Sequence, residues 1–87
     1  MGKDEKLLSD LLRGRSDANI EFEDLCQLLR SLGFDERISG SHHIFRRTGI
    51  EARINLQRDK RKAKVYQVRQ VRAVIVKHGL AGESDDA

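Results

Sequence analysis

Apolar residues at helical spacing mark two helices in the first third of the chain. The leucines within residues 7–12 fall at positions i, i+1, i+4 and i+5, which predicts a short amphipathic helix over about residues 4–13 that stops at Gly14. After a polar stretch, a second apolar stripe predicts a helix over about residues 21–32, closed by Gly33.

After these two helices, apolar residues recur at every second position, which is the spacing of a strand. Alternation over residues 34–38 predicts a short half-buried strand, and residues 42–47 predict a second. Residues 51–57 form the clearest strand pattern. One face of this strand is predicted to hold Ala52, Ile54 and Leu56. Tight turns at 39–41 and 48–49 join the three strands, so an antiparallel meander is expected.

The last third of the chain contains a basic segment and one ambiguous element. Residues 58–62 read as a solvated basic loop. Residues 64–78 are rich in β-branched side chains, which disfavour helices. Their apolar positions nevertheless recur at helical spacing and Gly79 follows, so we predict a helix. The predicted fold is α+β in the order α, α-β-β-β-α, with the helices on one face of the sheet and the other face open to solvent.

Length and composition favour one small soluble domain. The chain has 87 residues, of which 38% are hydrophobic and 36% charged. We predict a single domain over residues 1–80 with its core at 20–80, followed by a disordered acidic tail at 81–87. No apolar run is long enough for a membrane span, and the charged start lacks a signal segment, which predicts a cytoplasmic protein. Cys26, the single cysteine, has leucine neighbours and is expected in the core.

Charge is unevenly distributed along the chain. The formal net charge is +3, yet residues 1–36 hold five basic and nine acidic side chains, whereas residues 37–77 hold twelve basic and two acidic ones. A concentrated positive field of this kind is typical of proteins that bind nucleic acid. A merely solvated basic face and a surface for an acidic protein are the two alternatives.

A motif in the middle of the chain is recognisable. It consists of Leu32-Gly33-Phe34, then Arg37, then Gly40-Ser41-His42-His43-Ile44-Phe45-Arg46. A further strand and an amphipathic helix ending at Gly79-Leu80 follow it. Over about residues 20–80 the chain resembles the HicA family of bacterial toxins. The resemblance implies a fold like that of the double-stranded-RNA-binding domain, mRNA interferase activity, and inhibition by an antitoxin, HicB, that covers the His42 face.

Two departures from the family pattern stand out. Many members have a Pro-His pair after the third strand, whereas this chain has Leu56-Gln57-Arg58-Asp59-Lys60 there, which leaves the choice of RNA substrate open. The helix predicted over about residues 4–13 precedes the usual start of the family. It either caps the fold or serves a partner.

Histidine is the residue type best suited to the proton transfers of RNA cleavage, because its ordinary pKa lies near neutrality. Strand alternation sends His42 and Arg46 to one face and His43 and Phe45 to the other. If Phe45 faces the helices, His42 emerges on the open face. The resemblance, together with this open position, assigns proton transfer to His42, with His43 as the second choice because some relatives keep only the second histidine. The residues expected to bind RNA are Ser41, Arg37, Arg46, Arg53, Lys60, Arg61, Lys62 and Lys64.

Each of these assignments has a structural alternative. His42 taken alone is an ordinary surface residue, His43 a partly buried one, and Ser41 a turn stabiliser. His78 is expected to cap the last helix, where a cation interacts favourably with the helix dipole. No metal or other cofactor is expected, because adjacent histidines on a strand point to opposite faces. No nearby carboxylate except that of Glu51 could complete a coordination sphere. Metal-free cleavage would leave a 2′,3′-cyclic phosphate and spare DNA, whereas a non-catalytic RNA-binding module would bind without turnover.

Overall fold

The computed structural model describes residues 3–15 and 17–80, so the predicted tail at 81–87 lies outside the described residues. Three helices and three strands follow one another along this part of the chain. In order they are α1 (Lys3–Leu12), a short 3₁₀ helix (Asp17–Asn19), α2 (Phe22–Ser31), β1 (Asp35–Ser39), β2 (His42–Arg47), β3 (Ile50–Gln57) and α3 (Val65–Lys77). The predicted α+β fold, α-β-β-β-α with a preceding helix, is confirmed.

The three strands form one antiparallel sheet in the order β1-β2-β3. Along β1 and β2 the register pairs Ser39 with His42 and Glu36 with Phe45. Between β2 and β3 it pairs His42 with Gln57, and it shifts between Phe45 and Arg47. Because directly paired residues point to the same side, this register assigns every strand side chain to one of two faces.

One face of the sheet carries the core and the other is open. Phe45, Ile54 and Leu56 are fully buried beneath the helices. The helix residues that meet them include Leu25, Leu28, Leu29, Val68, Val71 and Ile75. The residues of opposite parity in the strands are exposed except for Ile44, which is half-buried. The prediction of one covered face and one solvent face is therefore confirmed.

The helical assignment of the valine-rich C-terminal segment is also confirmed. Val68, Val71 and Ile75 are fully buried along one side of α3, so tertiary packing outweighs their weak intrinsic preference for helix. Gln67 is buried as well, and it joins the helix start to the sheet. Its side-chain amide donates to the Gln57 carbonyl at 3.1 Å, and its amide oxygen accepts from the Lys64 backbone N–H at 3.3 Å.

The N-terminal helix belongs to the same core. Leu8 and Leu11 are buried within the central apolar cluster. Arg72 of α3 fixes the end of α1, because its guanidinium donates to the Leu11 carbonyl at 3.2 Å and to the Asp17 carboxylate at 3.0 Å. The carbonyls at a helix end lack partners within the helix, and that of Leu11 accepts from the Gly14 backbone N–H at 3.1 Å as well as from Arg72.

Two local expectations were wrong. Ile38 is 59% exposed although it lies on the covered side, because β1 is an edge strand and the helices do not reach that far. The basic loop is not merely solvated: the Arg58 guanidinium lies 4.9 Å from the centre of the Phe22 ring, and it forms an ion pair with Glu23.

No helix among the described residues is long and apolar enough to cross a membrane.

Candidate functional site

The open face of the sheet presents His42 at the start of β2. Its neighbours across the strands are Ser39 on one side and Gln57 on the other. All three side chains are exposed, so a ligand can approach the imidazole from solvent. The turn residue Gly40 precedes this end of the strand with a φ of 61°, a conformation that a side chain would strain.

Asn55 of β3 holds the His42 ring. The His42 Nδ1 lies 3.3 Å from the Asn55 side-chain oxygen. When Nδ1 carries the ring proton it donates to this amide oxygen, which can only accept, and Nε2 is then the free acceptor of the neutral ring. Asn55 lies on the same face as His42, because it pairs with Ile44, and the register makes His42 and Asn55 diagonal neighbours.

The predicted arginines lie at different distances from His42. Arg37 pairs with Ile44, so it is a diagonal neighbour of His42, about 7–8 Å away across β1 and β2. Arg46 is four residues further along β2, about 13 Å from His42 at ~3.3 Å per residue. Arg53, in the middle of β3, lies near the level of Arg46, because the adjacent Ile54 pairs with Phe45, and it is similarly far from His42. All three are exposed on the open face, and Arg37 is the one near the histidine.

The basic segment that follows β3 begins beside the histidine. The Arg58 backbone N–H donates to the Ser41 carbonyl at 2.8 Å, which places the loop at the His42 end of the sheet. The loop then turns toward the start of α2, where two of the predicted RNA-binding cations have partners, and a third pairs with an acidic residue of the loop itself. Arg61 pairs with Glu21 at 3.0 Å, Lys62 donates to Asn19 at 3.4 Å, and Lys64 lies 3.8 Å from Asp59. Lys60 is exposed in the same loop.

The second histidine occupies the opposite face. His43 is 8% exposed, and its ring meets the edge of the Phe22 ring at 5.0 Å between centres. Its Nδ1 donates to the Glu36 carboxylate at 2.7 Å. These contacts agree with the expectation of a partly buried structural residue. His78 is the C-terminal capping residue of α3, as expected.

Glu36 is the residue that sequence analysis missed. Its carboxylate accepts from Arg30 at 2.7 Å and from His43 at 2.7 Å, and its side chain is only 12% exposed. The sequence did contain a signal for this role, because strand alternation places Glu36 on the side of β1 that faces the helices. Burial by itself would raise the pKa of Glu36, but the hydrogen bonds from Arg30 and His43 outweigh it and hold the pKa below its usual range.

Cys26 of α2 adjoins this ion-pair cluster. It is fully buried, as predicted. Burial raises the pKa of its thiol to about 12, and the nearby Glu36 carboxylate adds to the rise. The thiol therefore stays protonated at neutral pH and is a poor nucleophile on its own.

The lowered pKa of Glu36 leads to a prediction about acid stability. A group whose pKa is lower in the folded state stabilises the fold above its unfolded pKa, and this contribution disappears as the pH falls through the folded pKa. We expect Glu36→Gln to lower the free energy of unfolding by about 1.5–3 kcal/mol at pH 7, with a deficit that shrinks below about pH 4. Urea unfolding followed by circular dichroism, in EDTA and at several pH values, measures this difference.

The matched control is Glu51→Gln, the same change at an exposed strand position. It should alter stability by less than about 0.5 kcal/mol at pH 7. A Glu36→Gln deficit that stays constant down to pH 3 would show that the carboxylate charge contributes nothing.

Comparison with known proteins gives one match. Residues 22–80 match the family described as the HicA toxin of bacterial toxin–antitoxin systems. The matched segment runs from the start of α2 past the end of α3, so it includes the whole sheet and leaves α1 outside. Neither the search of curated proteins nor that of solved structures found a match.

Proposed function

Because the chain belongs to the HicA toxin family of bacterial toxin–antitoxin systems, we propose that it is a metal-independent endoribonuclease that cleaves mRNA with His42 as its proton-transfer group. Family membership makes the chain the toxin component of such a system, with a cognate antitoxin as partner. The observation that carries the chemical proposal is the exposed His42 imidazole, which Asn55 orients on an open sheet face beside Arg37.

The proposed reaction uses the free Nε2 of His42 as a general base. Nε2 takes the proton of a ribose 2′-hydroxyl, and the 2′-oxygen then attacks the adjacent phosphorus. The bond from phosphorus to the 5′-oxygen breaks, and that oxygen takes up a proton from the imidazolium or from water. The products are a 2′,3′-cyclic phosphate and a 5′-hydroxyl. DNA has no 2′-hydroxyl and is not cleaved.

Cations on the same face have separate roles in this proposal. Arg37, as the arginine nearest His42, contacts the scissile phosphate and offsets the charge that develops on its oxygens. Arg46 and Arg53 are too far along the sheet to reach the same phosphate and instead bind the neighbouring backbone. Ser41 and the loop cations Lys60, Arg61, Lys62 and Lys64 extend this binding past the other end of β2. Such contacts give affinity without sequence preference.

Inhibition by the antitoxin follows from the same surface. We propose that a HicB-type antitoxin covers the His42 face with acidic side chains, in the cytoplasm where mRNA is found. Covering the imidazole is sufficient to block cleavage, because RNA then has no access to it. Residues 37–77, with twelve basic and two acidic side chains, supply the complementary charge.

The proposal is tested by incubating the purified chain, free of antitoxin, with a single-stranded RNA in EDTA and analysing the fragment ends. Circular dichroism establishes that the chain remains folded. We expect 2′,3′-cyclic phosphate ends and no cleavage of DNA of the same sequence. RNA that is bound but left intact would instead indicate a non-catalytic binding module. Negligible RNA affinity at moderate salt would indicate that the basic surface binds an acidic protein instead of RNA.

The contact between Asn55 and His42 gives a second prediction. We expect Asn55→Ala to lower the cleavage rate about 5-fold, which corresponds to loss of one hydrogen bond of about 1 kcal/mol that orients the ring. Single-turnover cleavage at saturating enzyme measures the rate separately from RNA binding. The control is Gln27→Ala, which removes an exposed amide from the outer side of α2. Equal cleavage rates for Asn55→Ala and the wild type would show that Asn55 does not orient His42 for the reaction.

A further inference from the structure

Three side chains of types that can bind metal ions lie close together on the covered side of the sheet, away from His42. Cys26 comes from α2, Glu36 from β1 and His43 from β2. One ligand atom of each lies within 4.8 Å of the other two. Cys26 is fully buried and His43 is 8% exposed, so two of the three donors are shielded from water. Among the described residues this is the one group of three such side chains that lie so close together.

The donor set has a definite chemical preference. A thiolate, an imidazole and a carboxylate together suit Zn²⁺ and related divalent ions, whereas Mg²⁺ and Ca²⁺ favour oxygen ligands alone. In tetrahedral zinc sites the metal lies about 2.0–2.3 Å from each ligand atom, so those atoms are roughly 3.3–3.8 Å apart. The present spacing reaches this geometry by movements of about 1 Å. A thiolate and a carboxylate also balance the two positive charges of the ion.

The surroundings resemble the outer shell of a metal site. Arg30 holds one Glu36 oxygen at 2.7 Å, and the other Glu36 oxygen faces His43 Nδ1 at 2.7 Å. An ion placed between this second oxygen, Nδ1 and the Cys26 sulfur would displace both the Nδ1 proton that His43 shares with Glu36 and the proton of the Cys26 thiol, and the two protons would leave to solvent. Phe22 packs edge-on against the His43 ring and limits its rotation. Partners that orient the ligands in this way strengthen metal binding.

We propose that Cys26, Glu36 and His43 form a site for a divalent ion of the Zn²⁺ class, which links α2 to β1 and β2. Three protein ligands would leave the fourth tetrahedral position to water. The site is separate from the proposed cleavage chemistry, since His42 points to the other face of β2 and its Nδ1 contacts Asn55. Metal binding here is therefore compatible with cleavage that proceeds without a metal at His42.

The test is titration of the reduced, metal-free chain with Co²⁺, whose thiolate complexes absorb in the near ultraviolet and whose tetrahedral complexes absorb strongly in the visible. We expect one equivalent of Co²⁺ to produce both bands and Zn²⁺ to abolish them by displacement. Cys26→Ala should lose the near-ultraviolet band, and Glu36→Gln should bind at least about 10-fold more weakly. The control His42→Ala should bind like the wild type.

Thermal unfolding provides a second readout that does not depend on activity. Zn²⁺ at about 100 times its dissociation constant should raise the wild-type Tm by about 10–20 °C and leave that of Cys26→Ala unchanged. A folded wild-type chain that shows neither a thiolate band nor this Tm shift would overturn the proposal. Binding that survives Cys26→Ala but is lost in His42→Ala would also overturn it, because the ion would then occupy the open face.

Discussion

Replacing His42 with alanine should lower the rate of RNA cleavage by about 10²–10⁴-fold, the usual contribution of a positioned acid–base group. The affinity for RNA should change little, since the cations that attract the phosphates remain in place. The imidazole is exposed on the open face, so its removal leaves no cavity in the core. The expected loss is therefore one of chemistry rather than of folding.

Two measurements separate these effects. Single-turnover cleavage at saturating enzyme reports the chemical step, and binding of a 2′-O-methyl RNA, which cannot be cleaved, reports affinity. His78→Ala is the matched control, because His78 caps α3 and lies outside the proposed site. A His42→Ala protein that cleaves at the wild-type rate would remove the proposed role. Equal loss of cleavage and of affinity would make His42 a binding residue.

Expression in cells extends the same test. Induction of the wild-type chain without antitoxin should arrest growth, whereas His42→Ala at an equal protein level should not. Growth arrest by both chains would mean that toxicity does not require the His42 imidazole.

Replacing Phe22 with alanine should lower the free energy of unfolding by about 3–5 kcal/mol. Phe22 is the first residue of α2 and is fully buried. Its ring contacts the edge of the His43 ring, and the Arg58 guanidinium lies over it at 4.9 Å. Truncation removes the contribution of this ring to the packing of α2 against the sheet, together with the surface on which Arg58 rests. A domain of this size commonly has a total stability of only about 5–10 kcal/mol, so the variant is expected to be close to unfolding.

Urea unfolding followed by far-ultraviolet circular dichroism measures this loss, and the midpoint and slope together show whether unfolding stays two-state. The control is Tyr66→Ala, which removes an aromatic ring that is 58% exposed on α3. It should change the free energy of unfolding by less than about 0.5 kcal/mol. A Phe22→Ala loss below about 1 kcal/mol would show that the buried ring contributes little to stability.

Much of this architecture was predictable because apolar periodicity is a local property. Residues 42–47 were predicted as a strand and form β2 with the same bounds. The helix predicted over residues 64–78 forms as Val65–Lys77, where spacing was a better guide than the low helix preference of valine. The same alternation that sends Phe45 inward places His42 on the open face, so the position of the candidate base also followed from local pattern.

Other features arise only when distant segments meet. Arg58 was predicted to be a solvated loop cation, because the Phe22 ring on which it packs lies 36 positions earlier in the chain. Ile38 matched the apolar alternation but lies beyond the cover of the helices, since periodicity defines a face and not the extent of what packs on it. Arg37 and Arg53 both share the face of His42, and only the register between strands shows that Arg37 is the nearer of the two.

The sequence by itself determined the elements, their order and the side of the sheet to which each side chain points, because these follow from backbone geometry and burial of apolar residues. Tertiary structure alone decided that Glu36 joins Arg30 and His43 and that Cys26 lies beside them. Such contacts depend on how α2 docks on the sheet. Docking brings together residues whose pairing no local spacing encodes, and it creates the low-polarity surroundings that hold the Cys26 thiol protonated.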